Sequence, residues 1–247
     1  MNNYSIEESP LYKKSVVFFG DSLCYARGER GDSNEEAIVR RAGYPGRIAT
    51  KYEMGLDALG YSGQSISSAK YGLYKHMEKR IETIPAEERE VVDYVILEGG
   101  VNDITGNLVP LGAYSDDEEN LDTATFWGAV QRYILMAKKT YPNAKVGFII
   151  TYRMPIADHW YNGEPIPEVR DLANAERYYN VIIEACKKYG VPVLDLFHDD
   201  KFCDEIFKVT TTTRTDPDAN MLSDGVHITS HGYDTLAPVI AAWMETL

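Results

Sequence analysis

Residues 16–23 read Val-Val-Phe-Phe-Gly-Asp-Ser-Leu, and this stretch decides the fold. Four apolar residues in a row, two of them β-branched and two aromatic, are too short for a helix. They fit a strand buried on both faces, as in a parallel sheet. Gly20 ends the run, and a polar turn with a serine follows. Outward from here the same pattern recurs. Val91 to Leu97 (VVDYVIL) runs into Gly99-Gly100, Lys145 to Thr151 (KVGFIIT) follows Pro142-Asn143, and Val191 to Leu196 (VPVLDL) follows Gly190. A weaker strand is expected within Glu53 to Leu59.

Helical spacing of apolar residues fills the intervals. Thr123 to Thr140 carries Phe126, Val130, Ile134 and Ala137 on one stripe, and Leu172 to Tyr189 carries Leu172, Ala175, Tyr179, Ile182 and Ala185. Helices are also expected at Glu35 to Lys51, Ser65 to Ile81 and Ser230 to Leu247. Strands alternating with helices predict a parallel sheet covered on both faces. The expected organisation is a short extension, residues 1–14, and one α/β domain over 15–247. In open sheets of this kind, ligands bind at the carboxyl ends of the strands. The turns after Phe19, after the second strand and after Leu97 are therefore the places to look for chemistry.

Each of those turns carries a reactive or permissive residue. Gly20-Asp21-Ser22-Leu23 offers a hydroxyl at the crevice, and its plain alternative is a helix cap. Gly60-Tyr61-Ser62-Gly63 offers glycines that let backbone approach a ligand, or an ordinary turn. Gly99-Gly100-Val101-Asn102-Asp103 offers a two-donor amide able to stabilise an oxyanion, or an Asx-turn. Near the end, Asp224-Gly225-Val226-His227 spaces a carboxylate and an imidazole three apart, close enough for Asp224 to fix the tautomer of His227. Taken singly these are weak signals. Together they supply a nucleophile, oxyanion donors and an acid–base pair, all where the fold rule puts a site.

In these four blocks the chain resembles the SGNH hydrolase family, also called GDSL esterases and lipases. Gly20-Asp21-Ser22-Leu23 matches the first block, Gly60 and Gly63 the second, Gly100-Val101-Asn102-Asp103 the third and Asp224-Gly225-Val226-His227 the last. Their order and approximate spacing agree from about residue 15 onward. The resemblance implies a three-layer α/β/α sandwich, flavodoxin-like, with about five parallel strands and no required cofactor. It implies Ser22 as nucleophile, His227 as its base and Asp224 as the group that orients the base. It also implies an oxyanion hole made by the backbone amides of Ser22 and Gly63 and the side chain of Asn102. One departure is Ala58, where the family often carries an asparagine five residues before the oxyanion glycine.

The function expected on this basis is hydrolysis of small acyl esters through an acyl-enzyme on Ser22, with carbohydrate O-deacetylation as one specific form. Two alternatives are an acyltransferase using the same serine and a non-catalytic binding module on the same scaffold. A flavin or nucleotide site is disfavoured because no GxGxxG or GxxxxGK[ST] follows the first strand. Asp21 and three aromatic-loop residues, His159, Trp160 and Tyr161, are candidates for substrate contact. His227 and His231 are four apart, but the glutamate of a H-E-x-x-H zinc motif is missing, so no metal is expected.

Composition bounds the partners. The 247 residues carry a formal charge of −13, which disfavours nucleic acid and anionic membranes. Three cysteines, none in a CxxC pair, suit a reducing compartment. The first residues lack the pattern of a signal peptide, and no apolar run approaches a membrane span. A cytoplasmic protein acting on a small-molecule ester is the resulting expectation, with its oligomeric state open.

Overall fold

The computed structural model describes residues 5–24, 43–67, 72–104, 109–153, 160–161, 164–165, 172–207 and 230–247. Its centre is a five-stranded parallel sheet. The strands are β1 (Ser15–Gly20), β2 (Gly55–Gly60), β3 (Tyr94–Glu98), β4 (Lys145–Ile150) and, after a small hairpin of β5 (Trp160–Tyr161) and β6 (Glu164–Pro165), β7 (Val193–Asp195). The spatial order is β2-β1-β3-β4-β7. β1 pairs in parallel with β2 and with β3, so the chain order reverses at β1, the topological switch point where such sheets bind ligands.

The helices are α1 (Tyr44–Lys51), α2 (Leu73–Thr83), α3 (Ala86–Glu90), α4 (Phe126–Thr140), α5 (Leu172–Tyr189), α6 (Asp200–Phe207) and α7 (Ser230–Met244). Alternate residues of a strand point to opposite faces, and β1 divides accordingly. Val16 and Phe18 join Ile48 of α1 and Tyr233, Ile240 and Met244 of α7 in one core. Val17 and Phe19 join Met77 of α2, Val130 and Ile134 of α4 and Ile182 of α5 in the other. Two cores on two faces make the expected three-layer α/β/α sandwich.

Several element boundaries differ from the sequence expectation for local reasons. β3 begins at Tyr94 rather than Val91, because Val91 is exposed and the Asp93 carboxylate accepts hydrogen bonds from the Ser15 amide (2.8 Å) and hydroxyl (3.1 Å). It also extends one residue further, to the buried Glu98. Of the helix expected over Glu35–Lys51, residues 35–42 lie outside the described residues; the described part opens at Tyr44 behind Gly43, with Pro45 in its first turn, where the missing amide hydrogen costs nothing. The next opens at Leu73, after Gly72, instead of Ser65. α3 and α6 were not expected. α6 starts where Asp199 accepts the Phe202 amide at 2.9 Å, a helix N-cap.

The segment expected as an N-terminal extension contributes fully buried Leu11 to the first core. All three cysteines are buried, and none is in a disulfide. Among the described residues, no helix is long and apolar enough to cross a membrane.

Candidate active site

The turns after β1, β2 and β3 meet at the carboxyl edge of the sheet and are tied to one another by side chains. Ser22 lies in the first turn, two residues past the end of β1, and is 6% exposed. The preceding Asp21 is fully buried. Its Oδ1 accepts the Leu23 amide at 2.9 Å, which closes the turn locally. Its Oδ2 accepts the Asn102 side-chain amide at 3.1 Å, which joins the turn to the one after β3. The Asn102 Nδ2 also donates to the Gln64 carbonyl at 3.0 Å, in the turn after β2. One amide therefore links all three turns. Its two hydrogens both have acceptors, so donation to a third oxygen requires one of these bonds to be exchanged.

Gly63 occupies the middle of the β2 turn with φ +75°, a conformation that favours glycine. The loop after it is held by Asp103. The Asp103 carboxylate accepts the Ile66 amide at 2.7 Å, the Ser67 amide at 3.0 Å and the Ser67 hydroxyl. These partners lie 36 and 37 residues away in sequence. Burial pushes the Asp103 carboxyl up to about 6, against the pull of those three hydrogen bonds.

Beneath the turns, the Tyr133 hydroxyl of α4 donates to the Phe19 carbonyl at 2.8 Å and approaches the Glu98 carbonyl at 3.4 Å, fixing the last residues of β1 and β3. Glu98 is 2% exposed, and its Oε2 accepts the Asp21 amide at 3.1 Å. On the β2 side, Tyr61 packs on Phe19 and stacks against His76, ring centroids 3.9 Å apart and nearly parallel.

The structure thus brings together four of the residues singled out from sequence: Asp21, Ser22, Gly63 and Asn102. Asp224, His227 and His159 lie outside the described residues. Trp160 and Tyr161 form β5, and only their backbone is described. Asp21 was expected among substrate contacts, but its carboxylate is committed to Leu23 and Asn102 and it has no exposed surface. Glu98, Gln64 and Tyr133 were not singled out. For Glu98 a signal existed, a lone acid closing an otherwise apolar strand.

A second Asp–His pair appears at the end of β7. Asp195 and His198 have the same three-residue spacing as Asp224 and His227, and their side chains meet at 2.7 Å. This pair is partly exposed.

A family model for the GDSL-like lipase/acylhydrolase family matches residues 18–235. No curated protein sequence is similar enough to match this chain. Solved structures of the same fold include a protein from Lactobacillus plantarum, 23% identical, with a TM-score of 0.65 over 95% of this chain and 98% of that one. A carbohydrate acetylesterase from Sinorhizobium meliloti is 16% identical, with a TM-score of 0.59 over 95% and 99% of the two chains. An acetyl xylan esterase is 20% identical, with a TM-score of 0.57 over 94% and 100%.

Proposed function

Because the chain belongs to the GDSL-like lipase/acylhydrolase family, we propose that it hydrolyses small acyl esters, acetyl esters of carbohydrates foremost, through an acyl-enzyme on Ser22. The observation that carries this reading is the linkage of Ser22's turn to Asn102 through Asp21. It brings a candidate nucleophile and a candidate oxyanion donor to the sheet's switch point, where ligands of such folds bind.

In this reading the Ser22 Oγ attacks the acyl carbon while His227, oriented by Asp224, takes the hydroxyl proton. Charge develops on the former carbonyl oxygen. The backbone amides of Ser22 and Gly63 and one hydrogen of the Asn102 amide receive it. The Asn102 hydrogen bond to Gln64 or Asp21 is exchanged for one to the oxyanion, so this donation strengthens as charge appears and favours the transition state over the substrate. The bond to the alcohol oxygen then breaks, and His227 returns its proton to that oxygen. Water, deprotonated by the same imidazole, releases the acid.

The preference for acetyl groups on carbohydrate draws on two neighbours of the same fold, the carbohydrate acetylesterase and the acetyl xylan esterase. A chain-length series of p-nitrophenyl esters, run beside acetylated sugars, tests it. The expected order is acetate above butyrate above octanoate, with acetate released from the sugars. A preference for long chains with no acetate release contradicts it. Added alcohol acceptors test the acyltransferase alternative, which requires acylated alcohol to form in place of free acid.

A further inference from the structure

Glu98, the last residue of β3, is a carboxyl group in an unusual place. It is almost fully buried, directly under the turn that carries Ser22. Its Oε2 accepts the Asp21 amide at 3.1 Å. A Cβ on residue 20 would collide with that same oxygen and approach the Cys24 Cβ to 2.9 Å, so Gly20 is what lets the carboxyl reach the turn. Asp21 and Cys24 face it from the turn, Tyr44 from α1, Tyr133 from α4 and Tyr179 from α5. None of these is a cation. Among the described residues, Glu98 Oε1 and the Tyr44 hydroxyl are both buried without a hydrogen-bond partner.

From this arrangement we infer that Glu98 is a positioning residue of the acyl-transfer site. Its carboxyl holds the Asp21 amide, Asp21 in turn holds the Asn102 amide, and one buried group thereby sets both the nucleophile's turn and the oxyanion donor. The inference rests on the reading of Ser22 as nucleophile. Burial, and then the charge of Asp21, push the Glu98 carboxyl well above the usual carboxylate range. Of the two neighbouring acids, Asp21 has the donors that favour ionisation, Leu23 and Asn102. Glu98 therefore works as the neutral partner, accepting the Asp21 amide through its carbonyl oxygen. Ionising it sets a second negative charge against Asp21 and disturbs the turn.

The test compares the full-length wild type with Glu98→Gln and Glu98→Ala. The readouts are kcat and KM for p-nitrophenyl acetate at pH 7, the rate of labelling by a fluorophosphonate, and thermal unfolding. Glutamine keeps a neutral carbonyl acceptor, so Glu98→Gln is expected to retain kcat within threefold at pH 7. Glu98→Ala is expected to lower kcat and labelling rate at least tenfold with KM within twofold. Wild-type kcat in Glu98→Ala, or no rescue by glutamine, overturns the inference. If Glu98→Ala does not fold, Glu98→Asp, which withdraws the acceptor from the Asp21 amide by one methylene, is measured in its place with the same fall in kcat and labelling expected. A wild type that takes no label overturns the Ser22 reading and this inference with it. A labelled wild type alongside any of the contrary results overturns the role of Glu98 alone.

Discussion

Asn102 donates its side-chain amide to Asp21 Oδ2 across 3.1 Å, although the two residues are 81 positions apart. This bond makes the turn after β1 and the turn after β3 a single unit. Asn102 is thus both a structural tie and the proposed oxyanion donor, and the two roles separate experimentally.

Removing the amide tests both. Asn102→Ala leaves Asp21 Oδ2 and the Gln64 carbonyl each short of a donor, which costs about 1–3 kcal/mol of stability. Loss of one oxyanion donor lowers turnover by about 10²–10³-fold. We expect kcat to fall by that factor with KM little changed, in a protein that still unfolds cooperatively. A change confined to KM contradicts the oxyanion role.

Gly63 tests the backbone of the β2 turn. A Cβ there meets nothing within 4 Å, so space is not the constraint. The constraint is φ +75°, which costs a non-glycine residue about 1–2 kcal/mol. Gly63→Ala is expected to lower Tm by about 2–8 °C, and to lower kcat if the Gly63 amide faces the oxyanion. An unchanged Tm shows that the turn relaxes without strain.

Asp103 makes stability depend on pH. Its carboxyl is raised from 3.8 to about 6 in the folded chain. The fold therefore binds this proton more tightly than the unfolded chain does. The stabilisation is fully present below pH 3.8 and is lost as pH rises through about 6. The span corresponds to about 3 kcal/mol. The stability of wild type relative to Asp103→Asn, from denaturant melts, should therefore fall by about that amount between pH 4 and pH 7. A constant difference across the range contradicts the assignment.

Activity should fall in acid for a separate reason. A base with the ordinary histidine pKa, ~6.5, is protonated below that pH. kcat/KM for p-nitrophenyl acetate is expected to drop tenfold per unit once pH is under about 6. A flat profile from pH 5 to 8 counts against His227 as the base.

The layered fold was legible in the sequence because buried parallel strands are local signals. VVFF, VIL and VGFII each read as a strand without reference to any other part of the chain, and Gly20 and Gly99 mark where the first two stop. The turns bearing Ser22, Gly63 and Asn102 were legible for the same reason. Their mutual fastening was not. Asp103 holding Ile66 and Ser67, and Glu98 holding Asp21, join residues 36 to 77 positions apart, and no spacing rule connects them. The helix expected from Ser65 begins only at Leu73, because Gly72 opens it and apolar periodicity does not mark that boundary. The carboxylate of Asp93 shortened β3 by a contact to Ser15 that its own neighbours do not announce.

The most direct test of the account is to find the atom that becomes acylated. The full-length protein is treated with a fluorophosphonate, digested, and the modified peptide mapped by mass spectrometry, with Ser22→Ala as control. One adduct on Ser22 is expected, absent from the variant, with loss of esterase activity in proportion to labelling. An adduct on another residue, or a Ser22→Ala protein that still cleaves p-nitrophenyl acetate at the wild-type rate, contradicts it.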